Sequence, residues 1–308
     1  MADARQHPPE HPEAQYLSLM RRAWEGGVER SDRTGTGTRA LFGEVMRFDL
    51  SDGSVPLLTT KKIFWKSAVK ELIWFLSGDT NIRPLVAQGV HIWTDWPLAK
   101  YNAANAPPNS PISRDAFEAR IIEDADFAAK WGDLGPVYGF QWRHWPDGSP
   151  DGVDQIAALI AGIKANPASR RHIFTGWNVT QLDEMALPPC HMTYQYFVAN
   201  GRLSGTLYQR SCDLGLGFPF NIFEAALLIR MIAQQCDLEP GELVWMGADC
   251  HVYLDHAHLV EEQLSRSPRA FPKLALTRRP ATILDYRPED FDLTGYNPHP
   301  HIAAPVSV

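Results

Sequence analysis

A chain of 308 residues, 44% hydrophobic and 21% charged, is long enough to bury a substantial core and too apolar to be disordered throughout. Its 29 basic residues against 36 acidic ones leave a net charge of −7, which argues against a protein that coats nucleic acid. Four cysteines (Cys190, Cys212, Cys236, Cys250) make no disulfide scaffold at this length. No run of about 18 apolar residues could span a bilayer and no secretory signal opens the chain, so a reducing cytoplasm is the expected setting and no membrane partner is expected.

Residues 1–14, rich in Pro, His and charge, read as a disordered arm, and residues 15–308 as one domain. From Tyr16 the apolar spacing is helical through Met20 and Ala23, ending near Gly26-Gly27, and a Gly/Thr-rich loop then runs into strand-like alternation. WKSAVKELIWFLSG is a firm helix, with Ala68, Val69, Leu72, Ile73, Phe75 and Leu76 as its apolar stripe and Gly78 as its stop. Residues 97–131 look like a variable insertion. Two alternating runs flank Asn200-Gly201, the strongest short hairpin signal, so facing residue numbers should sum to 401. A bulge shifts that sum by one but still leaves Cys190 beside Arg210. The apolar helix that follows has Asn221 at its expected N-cap and Glu224 three residues on, an approximate capping box. Strands before and around helices predict an α+β architecture, a mixed sheet packed by helices.

Several residues in this frame can carry chemistry. Cys190, in LPPCH next to His191, is either an inert thiol or a nucleophile assisted by Arg210, and spacing leaves both readings open. Arg33, Arg170, Arg171 and Arg210 sit at loops and strand ends, where guanidinium forks suit a small anion, and Ser211 can add a hydroxyl. Surface ion pairing explains any one of them equally well. Glu71 lies beside the apolar stripe of its helix, where a carboxylate is paired, raised in pKa, or reaching solvent. His251 and Tyr253 share one strand face and can hydrogen-bond a sugar hydroxyl, and CHVYLDHAH matches no familiar zinc spacing, so no metal is expected. An N-cap alone explains Asn221, and core packing alone explains Trp93 and Trp96.

Taken together, DRTGTGT, PLLTTKK, ELIWFLSGDTNI, GDLGPVYGFQWR, SRRHI, LPPCH, LYQRSCDLGLGFPFN, QQCDL, CHVY and GYNPHPHIAAPVSV resemble the thymidylate synthase family, from about Tyr16 to Val308. The resemblance implies methylation of dUMP to dTMP by methylene-tetrahydrofolate, which supplies carbon and hydride, so that no nicotinamide is needed. It makes Cys190 the nucleophile at uracil C6 and places Glu71, Tyr138, His191, Arg210 and Asp213 around the chemistry. Arg33, Arg210 and Ser211, with Arg170 and Arg171 from a partner subunit, would clamp the phosphate. Asn221 would read the uracil edge, Asp213 would bind dUMP and hydrogen-bond the pterin, and His251 and Tyr253 would meet the deoxyribose. Lys61, Ile92, Trp93, Trp96, Leu187, Asp213, Leu216, Gly217, Phe220 and Ser307 would line the folate pocket. It further implies an obligate homodimer built sheet to sheet, with nucleic acid, such as the chain's own mRNA, at most an incidental partner. Met246 and Cys250 depart from the smaller or hydroxylated residues expected there. A hydroxymethylase relative is disfavoured by Trp93 and the APVSV tail, and a cytidylate-specific one by Asn rather than Asp at position 221.

Overall fold

The computed structural model describes residues 11–31, 35–105 and 110–306. Six strands form one sheet: β1 (Val28–Arg30), β2 (Thr38–Asp49), β3 (Ile173–Thr175), β4 (His191–Ala199), β5 (Arg202–Asp213) and β6 (Glu239–Tyr253), in the order β1-β2-β6-β5-β4-β3. All neighbours are antiparallel except β5 and β6, which are parallel, so the sheet is mixed, as expected. A small second sheet pairs β7 (Lys273–Leu276) with β8 (Phe291–Thr294). Among the described residues the α-helices are α1 (Ala14–Gly26), α2 (Trp65–Ser77), α3 (Arg83–Ala87), α4 (Asp95–Asn105), α5 (Arg114–Glu123), α6 (Ala125–Trp131), α7 (Gly139–Arg143), α8 (Gln155–Ala165), α9 (Gly217–Gln235) and α10 (Ala257–Leu264). Among the described residues no helix is long and apolar enough to cross a membrane.

The register explains why the sheet has one dry face. Met46, Trp245, Leu207, Tyr194 and Phe174 are direct partners across five strands, and all five are buried. One residue along, Val45, Met246, Tyr208 and Thr193 form the neighbouring row, which must point to the opposite face. Val45, Met246 and Tyr208 of that row are 53, 37 and 39% exposed, and nearby Phe197 is 66%. Against the dry face packs α9, the parallel β5–β6 crossover, buried through Ile222, Phe223, Leu227, Leu228 and Met231.

Local signals behave as chemistry dictates. Gly78 ends α2 in the left-handed region at φ 77°, and α2 buries the predicted stripe apart from half-buried Ile73. Asn200 and Gly201 both have positive φ (52° and 70°), the signature of a two-residue hairpin that matches strand twist. The sum of 401 holds from Ala199–Arg202 back to Thr193–Tyr208, where a bulge shifts it to pair His191 with Gln209.

Two expectations need correction. The arm does not reach residue 14: Glu13 is fully buried, and its carboxylate accepts the N–H and O–H of Thr59 and Thr60 at 2.6–2.9 Å. Only residues 1–10 of that arm lie outside the described residues. The long helix begins at Gly217, so Asn221 lies inside its second turn and caps nothing, and Glu224 closes no capping box. The 97–131 stretch folds as α4 to α6, with Phe117, Ile121 and Phe127 buried; residues 106–109 lie outside the described residues.

Candidate active site

Cys190 stands immediately before β4, retaining some access to solvent, and its carbonyl accepts the backbone N–H of Arg210 at 2.9 Å. The bulge therefore brings the two residues side by side. The guanidinium is held in place by the carbonyls of Pro189 (2.9 Å) and Pro188 (2.7 Å) and stacks on Trp177 at 5.1 Å, leaving Nη1 without a protein acceptor among the described residues. Arg210 and the Tyr138 hydroxyl pull the Cys190 thiol pKa down, but burial outweighs them and holds it above the usual value. Alkylation of Cys190 in the ligand-free protein, followed by mass spectrometry across pH, should inflect above pH ~8.5; an inflection near neutrality would contradict this balance.

Tyr138 occupies a backbone conformation costly for a non-glycine residue (φ 28°, ψ −90°), at the turn into α7. The next residue must be glycine, because a Cβ at Gly139 would lie 2.1 Å from the Phe75 carbonyl oxygen. That corner aims the hydroxyl at Cys190, whose backbone N–H donates to it at 2.9 Å. Burial keeps the phenol neutral, so its own proton is available to the thiolate sulfur. His191 packs 4.5 Å from the Tyr138 ring, and its Nδ1 is bonded to the Tyr194 hydroxyl at 3.1 Å. Burial pushes its pKa down to about 3, so the imidazole is neutral at physiological pH and orients neighbours without carrying charge.

From Gln209 of β5, the residue before Arg210, a directional relay reaches Asn221. The indole N–H of Trp245 can only donate, and it donates to Gln209 Oε1 at 2.9 Å. This turns the Gln209 amide nitrogen toward Asn221 Oδ1 (2.9 Å) and the Ser211 carbonyl (3.1 Å). Asn221 thus presents Nδ2 as an outward donor. Asp213 ends β5, opposite His251 in the register, and its Oδ1 accepts the Gly215 N–H at 2.8 Å. His251 is anchored to Asp249 (3.0 Å), which also pairs with Arg30 (2.6 Å); these partners lower the Asp249 pKa. Tyr253 meets the His251 ring edge-on at 5.4 Å.

An aromatic group adjoins Tyr138. Trp93 donates its indole N–H to Glu71 Oε1 at 2.7 Å and meets Trp96 and Tyr138 at 5.3 and 5.4 Å. Ile92, Leu187, Leu216 and Phe220 are half-buried around the core, and Gly217 opens α9. The Trp96 indole N–H is buried without an acceptor among the described residues, and such a donor suits a polar ring edge. Lys61 is buried, its ammonium donating to the Gly215 carbonyl; burial lowers its pKa to about 8 against the pull of Asp213.

Other candidates fall elsewhere. Arg170 lines a groove with Arg47, Gln195 and Arg202, at the end of the sheet away from Arg210, and Arg171 is exposed beside it. Arg33 and Ser307 lie outside the described residues. The histidines of CHVYLDHAH disperse: His256 bonds the Pro305 carbonyl and His258 that of Ala303. Among the described residues no three His, Cys, Asp or Glu side chains are grouped to hold a metal. Sequence reading missed Gln209 and Tyr194, whose only signal is their register beside His191 and Leu207. It also misassigned Glu224.

The thymidylate synthase family model matches residues 14–308. The chain is 70% identical to the thymidylate synthase of Rhizorhabdus wittichii, over 97% of this chain and 99% of that one. It is 63% identical to that of Sphingopyxis alaskensis (97% and 98% covered) and 59% identical to that of Novosphingobium aromaticivorans (97% of each).

Proposed function

Since the chain belongs to the thymidylate synthase family, we propose that the cleft around Cys190 is where it carries out that family's reaction. The chain is a methyltransferase that converts dUMP to dTMP and releases dihydrofolate. The observation that supports the assignment is the Cys190 thiol beside a guanidinium fixed by two proline carbonyls, with Tyr138 joining it through Trp93 to the buried Glu71 carboxyl.

Arg210 and Ser211, with Arg33, fit a phosphate, and His251 and Tyr253 fit the deoxyribose hydroxyl. Nη1 of Arg210 is the donor best placed for the phosphate, because the proline carbonyls already hold the rest of the fork. The Cys190 sulfur adds to C6 of the uracil ring as its proton leaves, and the electron pair moves toward C5 and O4, making C5 nucleophilic. Tyr138 stabilises the thiolate before the bond forms, and Asn221 Nδ2 donates to O4 as negative charge builds there. Trp93, Trp96, Leu187, Leu216, Gly217, Phe220 and Asp213 would hold methylene-tetrahydrofolate, which supplies the one-carbon unit and the hydride. Glu71 handles the proton transfers, and the C5 proton must leave before the product forms. The aromatic wall excludes water, which would otherwise compete with hydride at the electrophilic carbon.

A homodimer is proposed on two grounds. The row containing Val45, Met246 and Tyr208 makes a sheet face too apolar for solvent, and a second copy of the same face fits it. Arg170 and Arg171 sit far from their own Cys190, so they reach a phosphate only across such an interface.

The test is turnover with dUMP and with dCMP, scored by dihydrofolate absorbance and product chromatography. Wild type should use dUMP strongly in preference, since cytosine sets an amine donor against the Asn221 donor, a mismatch of about 1–3 kcal/mol. Asn221→Asp should shift preference toward dCMP. Equal use of both nucleotides by wild type would contradict the role given to Asn221, and hydroxymethyl-dUMP without dihydrofolate would contradict the reaction.

A further inference from the structure

Helices α2 and α9 pack together, and each buries one carboxyl inside the protein. Glu71 is 5% exposed and Glu224 2%. One oxygen of Glu71 accepts the Trp93 indole N–H, whereas neither oxygen of Glu224 has a hydrogen-bond partner among the described residues. A buried carboxylate without a donor or a cation is too costly to keep ionised. Each carboxyl acts electrostatically on the other, and two neighbouring carboxyls can bond to one another only if one of them carries a proton. Glu224 also acts on Tyr194 of β4, a phenol kept neutral by burial whose hydroxyl bonds His191 Nδ1.

We propose that Glu224 is a positioning residue for proton transfer at Glu71, the two carboxyls sharing one proton with Glu224 as its donor. This inference rests on the acid–base role given to Glu71 above. The pair then holds one proton and one negative charge as a unit. When the proton is lent to substrate, two carboxylates act on each other in a dry site, and their repulsion drives the pair to take a proton back. The C5 proton, which the reaction must remove, is the proton it takes. One proton leaves and one returns, so the pair ends each turnover as it began. Burial raises the pKa of both carboxyls, and the charge of Glu71 raises that of Glu224 further while Glu224 and Trp93 pull that of Glu71 back down, so that Glu224 is the one that keeps the proton at neutral pH.

Glu224→Gln keeps shape and hydrogen-bonding capacity but removes the shared proton and the repulsion. Infrared spectra of the ligand-free protein, with 13C-labelled glutamate, should show a protonated buried carboxyl at neutral pH in wild type and none in Glu224→Gln. The alkaline limb of the kcat–pH profile should move down by about one unit or more, lowering kcat roughly tenfold above both limbs. KM for dUMP should stay within about twofold, since Glu224 touches no substrate. A wild-type protein without the infrared band, or a Glu224→Gln variant with the wild-type alkaline limb, overturns the inference. Glu71→Gln separates it from the reading on which it rests: if that variant turns over normally, the role of Glu71 is itself wrong. If Glu71→Gln is inactive while Glu224→Gln keeps the wild-type limb, only the role of Glu224 fails.

Discussion

Cys190→Ser should lose turnover by at least about 10^3-fold while dUMP binding stays measurable. The serine hydroxyl is a far weaker nucleophile, and the groups that help a thiolate do little for an alkoxide. Arg210 and Tyr138 lower the thiol pKa by favouring a charge that sulfur already carries readily. Binding should survive because Arg210 is held by Pro188, Pro189 and Trp177, none of which depends on the sulfur. The Arg210 N–H to Cys190 carbonyl bond is backbone to backbone and is indifferent to the side chain. Product formation and equilibrium binding of dUMP, measured on the same preparation, decide the matter. Turnover near wild type would remove Cys190 from the mechanism, and joint loss of binding and turnover would point to a collapsed site.

Mixing two inactive variants should restore activity if the phosphate clamp is shared between subunits. Chains carrying Cys190→Ser keep intact Arg170 and Arg171; chains carrying Arg170→Glu and Arg171→Glu keep an intact Cys190. In a mixed dimer one site receives a normal thiol from one chain and normal arginines from the other, while the second site has neither. Random reassortment therefore recovers about a quarter of wild-type sites. The physical basis is distance: β5 runs 12 residues from Arg202 to Asp213, with Arg170 beside its start and Arg210 near its end. A strand of that length rises about 3.3 Å per residue, too far for one arginine side chain to bridge. Steady-state assays after denaturation and co-refolding provide the measurement, and no recovery above the two parents would place the clamp within one protomer.

Much of this molecule is written in short-range patterns. The Asn200-Gly201 turn set the hairpin, and with period-two side chains this fixed which residues of β4 and β5 face each other, apart from one bulge. Cys190 and Arg210 are neighbours under either register, so the central pair of the site was readable before any folding. The α2 stripe and its Gly78 stop were equally local, since helix periodicity and a left-handed cap act within a few residues.

What the tertiary structure alone decided concerns burial and partners distant in sequence. Whether Glu71 reaches solvent depends on α9, some 150 residues later in the chain, and only their packing sets Glu224 against it. Read locally, Glu224 looked like a capping residue. The true start of α9 at Gly217 moved Asn221 inside the helix and left its amide to Gln209 and Trp245. His191 is neutral because Phe75, Tyr138 and Trp142 surround it, and Lys61 is depressed because it is buried beneath the Gly215 loop. Residue type and spacing determine which groups are available. The free energy of removing a charge from water, and hence the protonation each group carries, depends on everything packed around it.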